Sequence, residues 1–253
     1  MTFNCNFLLY LFINFKIIVV NKSKVMVGLV LLVYLGFVVF QFNSNIYWAD
    51  ALDALILPLV TITFFKADRK PNLFFAIFLI CYSVADLMVF IVDSMPYIYY
   101  YFIGNALYTM AYIAILIKIL KSVSFSHILK HFKLHLIVLL GLNIYIAYVL
   151  QIIVNPYMEM TNEYVIEITY NISMLLVLSS SLLNYLYRDD RKSLLMFLGS
   201  LSIVFSEVIG VAYLYVAQQN LLNFLSTSLT LLAIYFYCKQ ASLLNEEVNQ
   251  FAS

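Results

Sequence analysis

The stretch NLFFAIFLICYSVADLMVFIVDS (72–94) decides the fold class of this chain. Its apolar run has the length of a helix that crosses the hydrocarbon core of a bilayer, about 20 residues. Lys66, Arg69 and Lys70 precede it as a basic connection, and one carboxylate, Asp86, lies deep inside it. We therefore predict a transmembrane helix that carries an ionisable group into the membrane.

Similar apolar runs fill most of the chain. Of its 253 residues, 64% are hydrophobic and 11% are charged, whereas a soluble domain carries about 25% charged residues. The runs are continuous, while barrel strands alternate apolar and polar residues, so helices are favoured over a barrel. The predicted fold class is an all-α integral membrane protein with spans at 5–20, 25–42, 50–65, 72–94, 97–117, 134–154, 164–187, 193–216 and 221–238.

The spans from Met26 onward form an eight-span membrane domain, 26–240, followed by a cytoplasmic tail, 241–253. The first span is the weakest because it is short and contains Lys16. Residues 1–25 are an extra membrane segment, an uncleaved signal-like segment, or an extension upstream of a start at Met26. The sequence leaves these three interpretations open.

The lysines and arginines predict the orientation. All 14 fall in or beside alternate connections, on one side of the predicted membrane, and the other connections hold none. Short loops rich in Lys and Arg stay in the cytoplasm. We therefore expect a multi-pass protein of the cell (inner) membrane whose core N- and C-termini are cytoplasmic. The connections without Lys or Arg lie around 43–49, 95–96, 155–163 and 217–220.

The eight core spans divide into two sets of four, and the third helix of each set carries one deep carboxylate. Asp86 lies 14 residues beyond Asn72, and Glu207 lies 14 residues beyond Ser193. At 1.5 Å per residue, both acids are about 21 Å from the cytoplasmic ends of their helices. This correspondence suggests an eight-helix core bundle built as a four-plus-four parallel repeat.

A carboxylate this deep in a membrane costs several kcal/mol and normally faces the protein interior or a water-filled cavity. Tyr82 and Ser83 share a helical face with Asp86, and Ser206 directly precedes Glu207. We interpret the two acids as a functional pair that faces one shared cavity. The alternative is a pair of neutral, hydrogen-bonded acids that hold helices together.

More acids lie nearer the predicted outer surface, namely Asp50, Asp53, Asp93 and Glu167. Most of them are expected in the wet interface. Asp53 and Glu167 are the exceptions, because each begins a helix whose deeper face is polar. We expect these two carboxylates at the outer mouth of the cavity.

Neither a metal nor a cofactor is predicted. His127, His131 and His135 recur every four residues, a spacing compatible with a metal site. The whole chain has only three histidines, too few for a membrane di-iron centre, so we expect an amphipathic helix at the membrane surface. The three cysteines form no CxxC pair, and no basic tract suggests nucleic acid.

Two short motifs resemble those of the YhhN-like, or lysoplasmalogenase, family. YSVADLMVF (82–90) and FLGSLSIVFSEVIGVAYLY (197–215) contain Ala85-Asp86 and Ser206-Glu207, where that family has Gly-Asp in its third helix and Ser-Asp in its seventh. The resemblance extends over roughly residues 26–240. It implies eight spans with both ends in the cytoplasm.

The chain departs from the family pattern at other positions. The family has a Lys-Pro pair and a further Pro in its second helix, where this chain has Asp53-Ala54 and Leu57-Pro58. The family has a histidine in its fourth helix, where GNALYTMAYIAIL (104–116) offers Tyr112. A divergent member, or one without the activity, is therefore a second interpretation.

The resemblance implies hydrolysis of the vinyl ether of a lysoplasmalogen, with a membrane lipid or lysophospholipid as the partner. Such a reaction needs one neutral acid and one base or electrostatic stabiliser, so Asp86 and Glu207 are the expected catalytic pair. The alternatives are a non-catalytic lipid-binding protein of the same fold and a small proton- or cation-coupled transporter. The sequence leaves the oligomeric state open. The expected substrate-binding residues are Tyr82, Ser83, Ser206, Tyr112, Asn105, Asp53 and Glu167.

Overall fold

The computed structural model describes residues 24–67, 72–122, 130–158 and 161–251. These residues contain eight helices that are long and apolar enough to cross a membrane. The eight predicted core spans are thereby confirmed as helices, whereas the predicted segment 5–20 lies outside the described residues. The helices are α1 (Lys24–Phe42), α2 (Ile46–Ala67), α3 (Leu73–Leu87), α4 (Tyr97–Leu120), α5 (Lys133–Val154), α6 (Thr161–Arg188), α7 (Arg191–Tyr215) and α8 (Asn220–Phe251).

The last helix is longer than its predicted span. The sequence predicted a span at 221–238 and a tail from 241, but α8 continues to Phe251. The residues beyond Lys239 include Ala, Leu and Glu and lack Gly and Pro, so their helix propensity favours continuation. The ammonium of Lys239 donates to the Tyr235 hydroxyl at 3.3 Å, one turn back in the same helix.

Seven of the helices form a closed ring. Each of α1, α2 and α3 packs against the next helix, α4 packs against α6, and α7 and α8 complete the ring back to α1. Helix α5 lies outside the ring, against α6 and α7. The ring therefore encloses one common interior, to which α5 does not contribute.

The packing follows a four-plus-four arrangement only in part, because α1 belongs to the ring and its counterpart α5 lies outside it. In a four-plus-four repeat, α2 corresponds to α6 and α4 corresponds to α8. The contact of α4 with α6 then corresponds to the contact of α8 with α2, and both contacts are observed. The side chains show a similar relation, since Tyr101 of α4 donates to Glu167 of α6 and Thr227 of α8 lies beside Asp53 of α2. The equivalent helices α1 and α5 are also the two least buried of the eight described spans.

The two ends of the bundle differ in charge. We call one the basic end and the other the acidic end. Lys66, Lys118, Lys133 and Arg188 lie at the basic end, in the first or last turns of their helices. The acidic end carries Asp50, Asp53, Asp93, Glu163 and Glu167.

Helix α7 begins directly after α6, across only Asp189 and Asp190. Asp189 has a left-handed φ of 46° and donates its backbone N–H to the Tyr185 carbonyl at 2.8 Å, a geometry that Asp tolerates. The Asp190 carboxylate caps α7 by accepting the Ser193 backbone N–H at 2.7 Å. Partial burial favours a higher pKa for Asp190, but the hydrogen bonds from Ser193 and Arg188 hold that pKa below its ordinary value. The start of α7, and hence the depth of its side chains, is fixed by this cap.

Candidate functional site: an interior cluster of acids and tyrosines

Glu207 lies where α3, α4, α6 and α7 meet inside the ring. Its Oε1 accepts the hydroxyls of Tyr82 at 2.6 Å and Tyr112 at 2.5 Å. Its Oε2 accepts the hydroxyl of Tyr170 at 2.5 Å. Such short distances are typical of O–H groups that donate to a charged carboxylate. One carboxylate therefore ties three helices to α7.

Asp86 lies one turn beyond Tyr82 on α3. Its Oδ1 accepts the Tyr108 hydroxyl at 2.7 Å, and it makes no other side-chain hydrogen bond within the described residues. The rings of Tyr82 and Tyr108 pack edge to face with centroids 4.8 Å apart, so the partners of the two acids touch. Asp86 and Glu207 are close enough to interact electrostatically. The acid–tyrosine cluster consists of Asp86, Glu207, Tyr82, Tyr108, Tyr112 and Tyr170.

The spacing of polar residues along α4 explains its contribution. Tyr101, Asn105, Tyr108 and Tyr112 follow one another at intervals of four, three and four, and therefore line one helical face. That face meets Glu167 at one level, Asp86 at the next and Glu207 at the deepest. The Asn105 amide donates to the Tyr101 carbonyl at 3.0 Å within the helix. Asn105 thus lies in the predicted stripe, between two tyrosines that bind acids.

Buried aromatic rings close the interior on the side of the basic end. Phe75, Phe78 and Tyr237 are fully buried and pack against one another, with ring centroids 5.5–6.4 Å apart. Tyr237 also packs on Gly199, where a Cβ would lie 2.6 Å from the ring. Both acids of the cluster, in contrast, remain partly accessible. The cluster therefore lies on the side of these rings that faces the acidic end.

Two further acids lie nearer the acidic end. Glu167 accepts the Tyr101 hydroxyl at 2.8 Å and is close enough to Glu207 to interact electrostatically. Asp53 lies beside Thr227 and interacts in the same way with Asp86. Each deep acid thus has one companion nearer the acidic end. The place of Asp53 and Glu167 at the mouth of a cavity stays a prediction.

The hydroxyls of Ser83 and Ser206 point elsewhere, which corrects their predicted role in lining the cavity. Ser83 bonds the Thr61 hydroxyl of α2 at 2.8 Å. Ser206 bonds the carbonyl of Ser226 at 2.7 Å and the hydroxyl of Thr230 at 2.6 Å, both on α8. Ser83 directly follows Tyr82, and Ser206 directly precedes Glu207. Because neighbouring residues of a helix point about 100° apart, each serine side chain faces away from the cluster. These serines hold neighbouring helices together.

Tyr108 and Tyr170 are functional candidates that the sequence did not single out. The spacing of Tyr108 from Tyr101 and Tyr112, and the place of Tyr170 one turn below Glu167, are the signals that point to them. The chain contains 21 tyrosines, and tyrosine is enriched at the interfaces of membrane proteins. The presence of a tyrosine therefore does not by itself distinguish Tyr108 and Tyr170 from interfacial residues.

The interior also contains polar atoms without partners. The amide nitrogen and oxygen of Asn171 and the Thr109 hydroxyl are buried and make no hydrogen bond of ordinary geometry. Asn171 directly follows Tyr170 and lies near the Glu167 carboxyl. Buried polar groups of this kind are usually satisfied by ordered water. The path from Glu167 to the cluster is thus polar enough to admit water.

No cation neutralises the cluster within the described residues. The one ion pair found there joins Arg188 and Asp190 at 2.9 Å, at the basic end. The described residues also contain no group of three His, Cys, Asp or Glu side chains that could hold a metal ion. Of the predicted histidine face, His127 lies outside the described residues, and Phe132 leaves helical geometry between His131 and His135.

Comparison of the chain with protein-family models, with curated proteins and with solved structures finds no match. Any functional inference must therefore come from the chemistry of the cluster. Its defining features are two carboxyl groups on corresponding helices, four phenols that donate to them, buried aromatic rings toward the basic end and two further acids toward the acidic end.

Proposed function

We propose that this protein is a membrane hydrolase of the YhhN-like type, which cleaves the vinyl ether bond of lysoplasmalogens with Asp86 and Glu207. One observation carries the proposal. Carboxyl groups on the equivalent helices α3 and α7 face the same interior and are joined through packed tyrosines, without a cationic partner among the described residues. Acid-catalysed cleavage of an ether needs a carboxylic acid that donates a proton and a carboxylate that stabilises the resulting cation.

The hydrogen bonds assign different roles to the two acids. Glu207 uses both oxygens as acceptors for three phenols, and an ionised carboxylate is a pure acceptor. Asp86 accepts only from Tyr108, so its second oxygen is available to carry a proton toward a substrate. Asp86 is accordingly the proton donor, and Glu207 is the fixed negative charge.

The reaction proceeds in three balanced steps. Asp86 transfers its proton to the vinyl carbon remote from the ether oxygen, which leaves an oxocarbenium ion that the Glu207 charge stabilises. Water then adds to the carbon bonded to oxygen and returns a proton to Asp86. The resulting hemiacetal breaks its bond to the glycerol oxygen, which takes up the hydroxyl proton. The products are a fatty aldehyde and a glycerophospholipid head.

The transporter is the alternative that uses the same two acids. A transporter opens its central site to each side of the membrane in turn, so a basic end closed by Phe75, Phe78 and Tyr237 fits one state of a transporter as well as a hydrolase. A hydrolase needs only one entrance. A non-catalytic lipid-binding protein would use the same interior and is separated from a hydrolase by turnover.

Aldehyde release tests the proposal. Purified protein should release fatty aldehyde from a lysoplasmalogen, measured by NADH oxidation with added alcohol dehydrogenase, and should release none from the saturated 1-alkyl analogue. The saturated analogue controls for background NADH oxidation because it differs from the substrate only in lacking the double bond. If neither lipid yields aldehyde while proteoliposomes show proton-coupled uptake, the transporter replaces the hydrolase.

The orientation forms part of the same proposal. Because all 14 Lys and Arg lie on one side of the predicted topology, we expect the basic end in the cytoplasm. Single cysteines introduced at Ser124 and Asn162 should react with an impermeant maleimide from opposite sides of the inner membrane. If both react from the same side, the topology is wrong.

A further inference from the structure

Two lysines at the basic end, Lys118 and Lys121, extend from the end of α4 to the first turn of α3. The Lys118 ammonium lies 4.8 Å from the centroid of the Phe75 ring, and the Lys121 ammonium lies 4.1 Å from the centroid of the Phe74 ring. A cation over the face of an aromatic ring is attracted by the quadrupole of the ring. Because the two rings belong to neighbouring residues, they hold two positive charges beside one turn of α3.

The two ammonium groups keep unused hydrogen-bond donors. Each ammonium carries three N–H groups. Lys118 donates one of them to Gln240 Oε1 at 2.8 Å. Neither lysine forms an ion pair within the described residues, where the one ion pair joins Arg188 and Asp190. The two lysines therefore offer both positive charge and free donors to a ligand.

The spacing of the two lysines favours an anion as that ligand. Lys118 and Lys121 are three residues apart at the end of a helix, so their side chains are neighbours on its surface. Like charges at this kind of spacing destabilise a helix. An anion that contacts both ammonium groups removes the repulsion and accepts their free N–H groups. Phosphate oxygens are suitable acceptors for such charged donors.

The level of the site indicates the source of the phosphate. The apolar span of α4 ends at Leu120, and that of α3 begins at Leu73, so both lysines lie where lipid head groups meet the protein. The cytoplasmic leaflet, where we expect the basic end, carries anionic lipids that attract Lys and Arg near its surface. A zwitterionic head group would bring its own positive charge to an end that is already basic. A lipid with net negative charge therefore fits better.

We propose that Lys118 and Lys121 form a binding site for the head-group phosphate of an anionic phospholipid. The rings of Phe75 and Phe74 hold the ammonium groups in place, which lowers the ordering cost of binding. The acid–tyrosine cluster lies on the other side of the buried aromatic rings. Lipid binding at the basic end therefore does not require the cluster and goes beyond the proposed hydrolysis.

Lipid titrations of the full chain, followed by native mass spectrometry, test this site. The probes are dioleoyl phosphatidylglycerol, which is anionic, and dioleoyl phosphatidylcholine, which has the same acyl chains and no net charge. Wild type should bind the anionic lipid more tightly. Lys121→Gln should weaken that binding about fivefold, and the double variant with Lys118→Gln about 25-fold, from the usual contribution of one basic residue near a membrane surface. Binding of phosphatidylcholine should change little.

Two variants separate a defined site from diffuse charge. Lys133→Gln removes the same charge from the basic end on α5, which packs against α6 and α7 rather than α3 and α4, and it should bind phosphatidylglycerol as wild type does. Phe74→Leu keeps every charge but removes the ring that holds the Lys121 ammonium. It should weaken binding of phosphatidylglycerol about two- to fivefold, the range for one exposed cation–π contact.

Three results would overturn the proposal: equal binding of the two lipids, an equal loss in Lys133→Gln and Lys121→Gln, or displacement of phosphatidylglycerol by millimolar inorganic phosphate, which would identify a soluble anion as the ligand. Should the double variant misfold, Lys121→Gln decides the question, because Lys121 is exposed. Asp86→Asn should bind phosphatidylglycerol with wild-type affinity. Failure of the hydrolase proposal would therefore leave this site standing, and failure of the site would leave aldehyde release unchanged.

Discussion

Replacing Asp86 with Asn is expected to lower the rate of aldehyde release from a lysoplasmalogen at least ~100-fold, the low end for loss of a general acid. The asparagine keeps the shape of the side chain and can still accept the Tyr108 hydroxyl, now seen at 2.7 Å. It cannot supply the proton that converts the vinyl ether into an oxocarbenium ion. The turnover number should therefore fall, while the melting temperature changes little.

Asp93→Asn provides the matched control for this prediction. Asp93 lies on the 3-10 continuation of the same helix, seven residues beyond Asp86, and is exposed at the acidic end. Its substitution makes the same chemical change outside the cluster and should leave turnover unaltered. Activity of Asp86→Asn within about threefold of wild type would remove Asp86 from the mechanism, because a lost general acid costs far more.

The spans and the deep acids could be predicted from the sequence because lipid imposes strict rules. A helix must be about 20 apolar residues long, and a deep carboxylate must face the interior. These rules identified 72–94 as a helix and Asp86 and Glu207 as inward-facing groups, which the structure places in one cluster.

The helix arrangement could not be predicted in the same way. In water the apolar face of a helix points inward, but in lipid a helix is apolar on all sides, so its pattern does not reveal which face packs. The sequence of α5 predicts an ordinary span, yet the helix lies outside the ring and is the least buried of the described spans. The same loss of information explains why Ser83 and Ser206 were assigned to the cavity.

The position of Tyr112 gives the departure from the family pattern a physical meaning. The resemblance implies a histidine in this helix, and the structure shows that the Tyr112 hydroxyl donates to Glu207 at 2.5 Å. A phenol and an imidazole can both donate a hydrogen bond. A hydrogen-bond donor to Glu207 is therefore present at this position, so the absence of the histidine that the resemblance implies does not by itself argue against the proposed activity.

Glu207→Gln is expected to lower turnover at least ~100-fold, comparable to the loss of one group that stabilises transition-state charge. The glutamine removes the negative charge that faces the oxocarbenium ion. Its amide nitrogen also cannot accept the phenol that now donates to Oε2 at 2.5 Å. Since the charge matters only after proton transfer, affinity for the saturated 1-alkyl analogue should remain near that of wild type.

That separation of turnover from binding distinguishes catalysis from structure. If Glu207 only holds helices together, its substitution should weaken analogue binding and lower the melting temperature in parallel with activity, because three tyrosines would lose one anchor. Glu163→Gln is the control, since Glu163 is a buried acid at the acidic end of α6, away from the cluster. A catalytic Glu207 requires a large loss of turnover with nearly unchanged analogue affinity, and an equal loss in Glu163→Gln would show that any buried charge, rather than this one, sets the rate.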